Sequence, residues 1–269
     1  MNEPKREPEE PVAPLARLYH ENSKLQPATA DYLAEHIGEF ATDPDMLRRS
    51  ISSAKTYPTS NRISLEKIRK LKVKLPLADA LAARRSKRSF ANLPLKLAEY
   101  ATLLESAAGV SATTFPSMGG GLPQRLRTYP SAGALYCVET YVIVINGSEP
   151  APGIYHYHSE QSALELVRGD CTKEQIDSCF LPGPLRLQAP AYLILTARWE
   201  MLLQKYQERG YRLAHLEAGH VAQNVLLVSQ ALQLAACPLA AFYDDRLASL
   251  LQLDLREESP LYVIAMGRE

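Results

Sequence analysis

The order of apolar and polar positions predicts a chain in which helices and short strands alternate. Four apolar runs rich in β-branched and aromatic residues are typical of buried strands, at 140–145, 153–158, 191–197 and 260–267. Apolar residues at helical spacing predict helices around 30–40, 78–88, 94–109 and 199–234, the last with a break near Gly210. Because the elements follow no strict βαβ order, we expect one α+β or mixed α/β domain.

The chain divides by composition into three parts. Residues 1–16 are charged and proline-rich without an apolar core, which predicts a disordered arm and not a secretory signal. Residues 17–65 are predicted to form a helical segment with a polar linker, and residues 66–269 to form the main domain.

Charge and cysteine content narrow the range of partners. The 269 residues include 30 basic and 30 acidic side chains, so the balance favours neither nucleic acid nor a membrane surface as a partner. No apolar stretch is long enough to predict a membrane span. The four cysteines are scattered without a C-x-x-C pair, which predicts free thiols in the cytoplasm.

Two segments could hold a ligand. Pro130-Ser131-Ala132-Gly133 precedes a buried strand and is small enough for a planar or phosphorylated group to approach the main chain; taken in isolation, the stretch is more typical of a tight turn into a strand. The basic cluster Arg84-Arg85-Ser86-Lys87-Arg88 ends a predicted helix. Guanidinium groups match the geometry of a phosphate, and a solvated helix end is the alternative.

Catalysis has one candidate pair, and metal binding has none. Lys205 and Tyr206 are adjacent on a predicted helix near Arg209, where partial desolvation can tune a general base; an exposed amphipathic turn is the alternative. His156 and His158 alternate on a strand without a third ligand nearby, so no metal is assigned.

Several segments, taken in their order along the chain, resemble the SagB-type dehydrogenases, a branch of the FMN-dependent nitroreductase superfamily. They are LYHENSKL (18–25), RRSKRSF (84–90), RTYPSAGALYCVETYV (127–142), LEAGHVAQNVLL (216–227) and CPLAAFYDD (237–245). The pattern K-Y…R-G-Y-R at 205–212 is similar to one in the azoline dehydrogenases of thiazole/oxazole-modified peptide pathways. The resemblance covers most of the chain after the arm.

The resemblance implies a nitroreductase-like fold, with a central mixed sheet flanked by helices, and a homodimer that holds FMN between its subunits. The implied FMN contacts are Arg84, Arg85, Ser86, Arg88, Pro130, Ser131, Ala132, Gly133, Gln223, Asn224, Leu239, Ala240, Ala241 and Arg268. Lys205 and Tyr206 match the implied catalytic pair. This chain departs from the family at Cys137, where proline is usual, and at Ala240 and Ala241, where glycine is frequent.

The implied reaction is the oxidation of peptide thiazolines or oxazolines to thiazoles or oxazoles during biosynthesis of a ribosomally made modified peptide. FMN would accept the hydride and dioxygen would reoxidise it. The implied partners are a precursor peptide and cyclodehydratase proteins. Two alternatives stay open: an NAD(P)H-dependent nitro, quinone or enone reductase with the same fold, and a scaffold subunit of a peptide-modifying synthetase.

Overall fold

An antiparallel sheet forms the centre of the protein. The computed structural model describes residues 13–51, 54–58, 60–115, 121–183 and 186–269. Its strands are β1 (Arg62–Ser64), β2 (Val110–Thr114), β3 (Gln124–Arg127), β4 (Val138–Val144), β5 (Gly153–His158), β6 (Ala163–Arg168), β7 (Ala191–Arg198), β8 (Ala235–Leu239) and β9 (Glu258–Gly267). Seven of them form one sheet in the order β1-β6-β5-β4-β7-β9-β8, while β2 and β3 pair separately.

Helices cover the sheet, and two of them pack along it as a pair. The helices of the described residues are α1 (Pro14–Asn22), α2 (Pro27–Thr42), α3 (Pro44–Ile51), α4 (Leu77–Ala83), α5 (Leu97–Ala108), α6 (Lys173–Asp177), α7 (Glu200–Tyr206), α8 (Arg209–Ala231) and α9 (Asp244–Leu250). Helices α5 and α8 pack together within the larger apolar cluster. α6 and α9 contribute to a second cluster.

Strand β4 shows why the apolar runs are continuous. All seven of its residues are buried. Val138, Val142 and Val144 belong to the cluster that contains α5 and α8, whereas Tyr141 and Ile143 belong to the second cluster. Because successive side chains point to opposite faces of a strand, a sheet covered on both faces favours apolar residues at successive positions, and the buried polar residues Glu139 and Thr140 interrupt that run in β4.

The α+β class is confirmed, and the expectation of a mixed sheet is wrong. Every strand pair among the described residues is antiparallel. Short connections join β4 to β5 and β5 to β6, and a short connection between neighbouring strands reverses the chain direction.

Several predicted element boundaries are corrected. The predicted helix over 199–234 is two helices, and the chain breaks at Gln207, with φ 50°, three residues before Gly210. Helix α4 ends at Ala83, so the basic cluster follows the helix and does not form its last turn. Strands β2 and β3, which the apolar pattern did not predict, flank the segment 115–123. Its residues 116–120 lie outside the described residues.

Helices α1, α2 and α3 precede the sheet, and α2 packs against α7. Of the predicted arm at 1–16, residues 1–12 lie outside the described residues, and α1 begins at Pro14. The three-part division of the chain stays a prediction. Within the described ranges, no helix has both the length and the apolar character that crossing a bilayer requires.

Candidate functional site

The small residues before β4 form a tight turn with left-handed backbone conformations. Gly133 has φ 59°, Ala134 φ 52° and Tyr136 φ 49°. Glycine adopts this region without steric cost, which explains its place at the centre of the turn. A Cβ atom on Gly133 would lie 2.5 Å from Tyr206 Oη and 2.6 Å from Lys205 Nζ. The turn and the Lys205–Tyr206 pair, singled out separately in the sequence, are therefore in contact.

Lys205 and Tyr206 lie half-buried at the end of α7, and their environment changes their acidity. Burial lowers the pKa of Lys205 and raises the pKa of Tyr206. The ring of Phe40, from α2, is centred 4.8 Å from Lys205 Nζ. The result is a lysine that loses its proton more readily than usual, next to a tyrosine that keeps its own.

Glu217, on α8, braces the turn from inside the protein. Its carboxylate accepts a hydrogen bond from Ser131 Oγ at 2.5 Å and another from the Val138 N–H at 3.0 Å. Ser131 Oγ also accepts the Tyr136 N–H at 2.8 Å. The Ser131 hydroxyl, which was expected to face a cofactor, thus makes its hydrogen bonds within the protein. The Glu217 carboxylate binds the beginning of the turn at Ser131 and the start of β4 at Val138.

Sequence reasoning missed Glu217, although the sequence contains a signal for it. Glu217 lies four residues after Leu213 and four before Val221, on the apolar face predicted for this helix. An acidic residue on a buried helical face needs partners, and only 2% of Glu217 is exposed. Burial raises its pKa, while the hydrogen bonds from Ser131 and Val138 oppose that rise.

The basic cluster lies beside the other predicted cofactor loop. The Lys87 N–H donates to the Ala236 carbonyl of β8, the strand that leads into Leu239, Ala240 and Ala241. Among the described residues, no carboxylate lies within 4 Å of the Arg84 or Arg88 guanidinium. The Arg84 and Arg88 guanidinium groups are therefore available to donate hydrogen bonds to an anionic ligand. These donors fit a phosphate group.

Other members of the predicted cofactor set have contacts within the chain. Arg85 donates to the carbonyls of Ala82 and Arg84. Arg268 donates to buried Glu99 at 2.6 Å. Asn224 donates to the carbonyls of Ala107 and Thr128, and Gln223 is exposed on α8. These contacts give Arg85, Arg268 and Asn224 structural roles in the protein.

Most of the predicted site residues fall into two groups. One is the turn that begins at Pro130, together with Lys205 and Tyr206, and Glu217 braces it; the other is the cluster at 84–88 with the loop at 239–241. Within the described part of the chain, no hydrogen bond or ion pair joins the two groups.

His156 takes part in a buried ionic network. Its Nδ1 lies 3.0 Å from Glu165 and its Nε2 lies 3.0 Å from Glu139. Burial alone would lower its pKa, but the two carboxylates raise it overall. No set of three or more metal-ligating side chains occurs in the residues that the structure describes.

Comparison with known proteins points to one family. A family model described as "Nitroreductase family" matches residues 81–268. A Methanocaldococcus jannaschii protein provisionally described as a nitroreductase is 32% identical over 195 residues, covering 72% of this chain and 92% of that protein. The microcin B17-processing protein McbC of Escherichia coli is 33% identical over 52% of this chain, and the trifolitoxin-processing protein TfxB of Rhizobium leguminosarum 30% over 66%. The matches span about half the length of these last two relatives, 54% and 49%.

Solved structures agree on the fold. A nitroreductase-like protein of Anabaena variabilis superposes with a TM-score of 0.72 at 23% identity, covering 94% of this chain and 46% of that one. A chain of the E. coli microcin synthetase McbBCD complex with truncated pro-MccB17 bound gives a TM-score of 0.56 at 23% identity, covering 96% and 98%. The nitroreductase-like fold expected from the sequence is confirmed.

Proposed function

Because the chain belongs to the nitroreductase family, we propose that it is an FMN-dependent dehydrogenase that oxidises peptide thiazolines or oxazolines to the aromatic azoles. The observation that carries this proposal is the contact of Gly133 with Lys205 and Tyr206. It joins the small turn, which suits a flat cofactor, to a lysine with a lowered pKa. Similarity to McbC and TfxB, both described as peptide-processing proteins, supports a peptide as the substrate.

The two groups of site residues suit different parts of one cofactor. Arg84, Ser86 and Arg88 would hold the phosphate, and the turn at 130–133 would lie along the ring system. Main-chain N–H groups of the loop at 239–241 would face the redox edge. The resemblance to SagB-type dehydrogenases implies a homodimer, and we infer that the turn of one copy and the basic cluster of its partner would then hold the same cofactor.

The protein's own contribution to the reaction is proton transfer and orientation. When the ring carbon–carbon single bond of an azoline becomes a double bond, one hydrogen leaves as a proton and the other leaves with the bonding electron pair. Neutral Lys205 would take the proton, and Tyr206, which stays protonated, would orient the ring by a hydrogen bond. Bound FMN supplies the two-electron acceptor, and dioxygen is the final oxidant.

A second candidate function is an NAD(P)H-dependent reductase of nitro, quinone or enone compounds. One observation favours it. The M. jannaschii relative described as a nitroreductase is matched over 92% of its length, more than either peptide-processing relative. The same turn and basic cluster would then serve a reductive reaction, in which the Lys205–Tyr206 pair has no assigned task.

Mass spectrometry of an azoline peptide distinguishes these functions. Protein loaded with FMN and checked by its visible spectrum is mixed in air with a synthetic thiazoline peptide. We expect a mass loss of about 2 Da per ring, for the two hydrogens removed. Lys205→Ala and Tyr206→Phe should keep the flavin spectrum and lower the rate by about a hundredfold or more, the scale of losing a general base or its partner.

Each other outcome has a definite meaning. NADPH oxidation without peptide mass loss would establish the reductase instead. Normal peptide oxidation by both variants would remove the pair from the mechanism. Protein that binds no FMN and changes neither substrate would indicate a scaffold subunit of a synthetase, in which a cyclodehydratase partner would be expected.

A further inference from the structure

The second half of the K-Y…R-G-Y-R segment has no role in the proposed chemistry, yet it makes several long-range contacts. Arg209 donates to the Ser23 carbonyl at 3.0 Å. Arg212 donates through Nε to Ser23 Oγ at 2.8 Å and through Nη2 to the His20 carbonyl at 2.7 Å. Two arginines in the first turn of α8 therefore bind the connection between α1 and α2.

These contacts bring α2 over the Lys205–Tyr206 pair. Phe40 of α2 covers Lys205 Nζ, as described above. Leu33 lies seven residues earlier, two helical turns along the same face, and lines the same cavity as Tyr206. The same face of α2 therefore lies near both Lys205 and Tyr206.

The cavity lies between the α1–α2 connection and the end of α7, and its volume is about 210 Å³. Ser23, Leu25, Tyr32, Leu33, Tyr206 and Arg209 are among its lining residues. Tyr206 belongs both to the lining of this cavity and to the proposed catalytic site, because its hydroxyl faces Gly133. The lining mixes aliphatic and aromatic surface with hydrogen-bonding groups, a combination that suits an amino-acid residue with its amide groups.

We propose that this cavity binds the residue next to the azoline ring in the peptide substrate, and that Arg209 and Arg212 are positioning residues that keep the cavity formed. The inference rests on the proposed function for the identity of the ring. Neighbouring Cα atoms in a peptide are about 3.8 Å apart, so a residue joined to a ring at Tyr206 lies within reach of the cavity. A peptide substrate would therefore make contacts in this cavity that an isolated azoline ring cannot make, and it would bind more tightly.

Two variants and a matched control test the cavity in the FMN-loaded protein. Leu33→Trp fills the space, and Arg212→Ala releases the α1–α2 connection. Arg212→Lys retains the charge without the guanidinium fork and should show an intermediate effect. The control is Arg246→Ala, because Arg246 also donates to a main-chain carbonyl of another element, Ser178, at 3.0 Å.

Three measurements are compared: turnover of a synthetic peptide with one central thiazoline between leucines, turnover of a free thiazoline carboxamide, and anisotropy of the fluorescein-labelled thiazole peptide. Leu33→Trp and Arg212→Ala should raise KM for the peptide about tenfold or more and weaken thiazole-peptide binding to a similar degree. Kinetics with the free ring, and the FMN content, should match the unmodified protein. Arg246→Ala should change none of these values.

Equal losses for the peptide and the free ring, or unchanged peptide binding in both variants, would overturn the inference. Failure of the proposed function gives a different result. If the unmodified protein oxidises neither substrate but binds the thiazole peptide, and Leu33→Trp removes that binding, the cavity assignment stands without the dehydrogenase. An unmodified protein that does not bind the thiazole peptide contradicts the cavity assignment.

Discussion

Gly133 is the residue on which the candidate site depends most directly. Its positive φ is one constraint, and its contact with Lys205 and Tyr206 is another. The sequence allowed the small turn and the reactive pair to be identified separately. It contained no information that placed one against the other, because 72 residues separate Gly133 from Lys205.

Gly133→Ala should therefore impair catalysis more than folding. The added methyl group would displace Tyr206 Oη and Lys205 Nζ, the flexible ends of two side chains. Left-handed backbone at alanine costs about 1–2 kcal/mol, whereas misplacement of a reacting group by about 1 Å costs about a hundredfold in rate. Turnover of the azoline peptide and the urea unfolding midpoint measure the two effects separately.

Gly183→Ala is a matched control for backbone strain. Gly183 has φ 83°, and a Cβ atom there would have no heavy atom of the described residues within 4 Å. It should show a similar loss of stability and normal turnover. If Gly133→Ala retains full activity, the contact between the turn and the pair has no part in the reaction.

At the scale of elements, the break between α7 and α8 positions the pair. A single helix was expected to continue to a break near Gly210, but Gln207 adopts φ 50° directly after Tyr206. Gly210 contributes in another way, since a Cβ atom there would lie 3.1 Å from the Leu202 carbonyl. Glycine allows the start of α8 to pack closely on α7. The breaking residue itself is a glutamine, which sequence propensity does not identify.

Helix α8 and the turn before β4 are joined by Glu217, so Glu217→Ala should loosen the turn. The change leaves the Ser131 hydroxyl and the Val138 N–H without their acceptor. A buried donor that loses its partner costs about 1–3 kcal/mol, and we expect a total loss of roughly 2 kcal/mol or more in the free energy of unfolding. Urea denaturation measures that loss, and the FMN dissociation constant should also increase.

Glu217→Gln provides the comparison. Its amide oxygen can still accept the Ser131 hydrogen bond, so it should retain more stability and more FMN affinity than alanine. Glu66→Ala, at an exposed position, should have no effect. Equal stability of the alanine variant and the unmodified protein would mean that the turn holds its shape without Glu217.

At the scale of the whole molecule, the sequence predicted the strands that are buried on both faces and missed others. Strands β4, β5, β7 and β9 are long apolar runs. β8 contains small residues and Pro238, and it lies at the edge of the sheet, where proline is tolerated. The antiparallel order depends on pairing between distant segments such as β7 and β9, which local patterns do not encode.

The sheet also contains a network of charged side chains that the sequence pattern did not reveal. His156 on β5 lies between Glu139 on β4 and Glu165 on β6. Arg198 on β7 pairs with Glu139, and Arg62 on β1 pairs with Glu165. Five strands thus contribute charges to one network. In the sequence these residues looked like isolated polar positions in strands, because their partners lie on other strands.

This network makes stability depend on pH in a defined direction. Burial opposes ionisation of Glu139 and Glu165, yet the hydrogen bonds from His156 hold the pKa of each carboxyl at about 2. The stability that these carboxylates contribute is present above their unfolded pKa of about 4.3 and is lost as the pH falls toward 2. His156 has a raised pKa, so its contribution is complete below the unfolded value of about 6.5 and is lost as the pH rises through the folded value.

His156→Phe should lower the free energy of unfolding by roughly 3–5 kcal/mol at neutral pH, because two buried carboxylates lose their cationic partner. Their pKa values should then rise, so the variant should regain part of the loss at about pH 5, where unpaired carboxylates begin to take up protons. His158→Gln, a change at the next residue on the same strand face, is the control. The pKa of His158 is lowered, mainly by burial, so this change should produce a smaller loss and no recovery of the size seen for His156→Phe. Urea midpoints at about pH 5, 7 and 9 compare the three proteins. A pH-independent loss in His156→Phe would show that His156 acts in the sheet as a neutral packing residue.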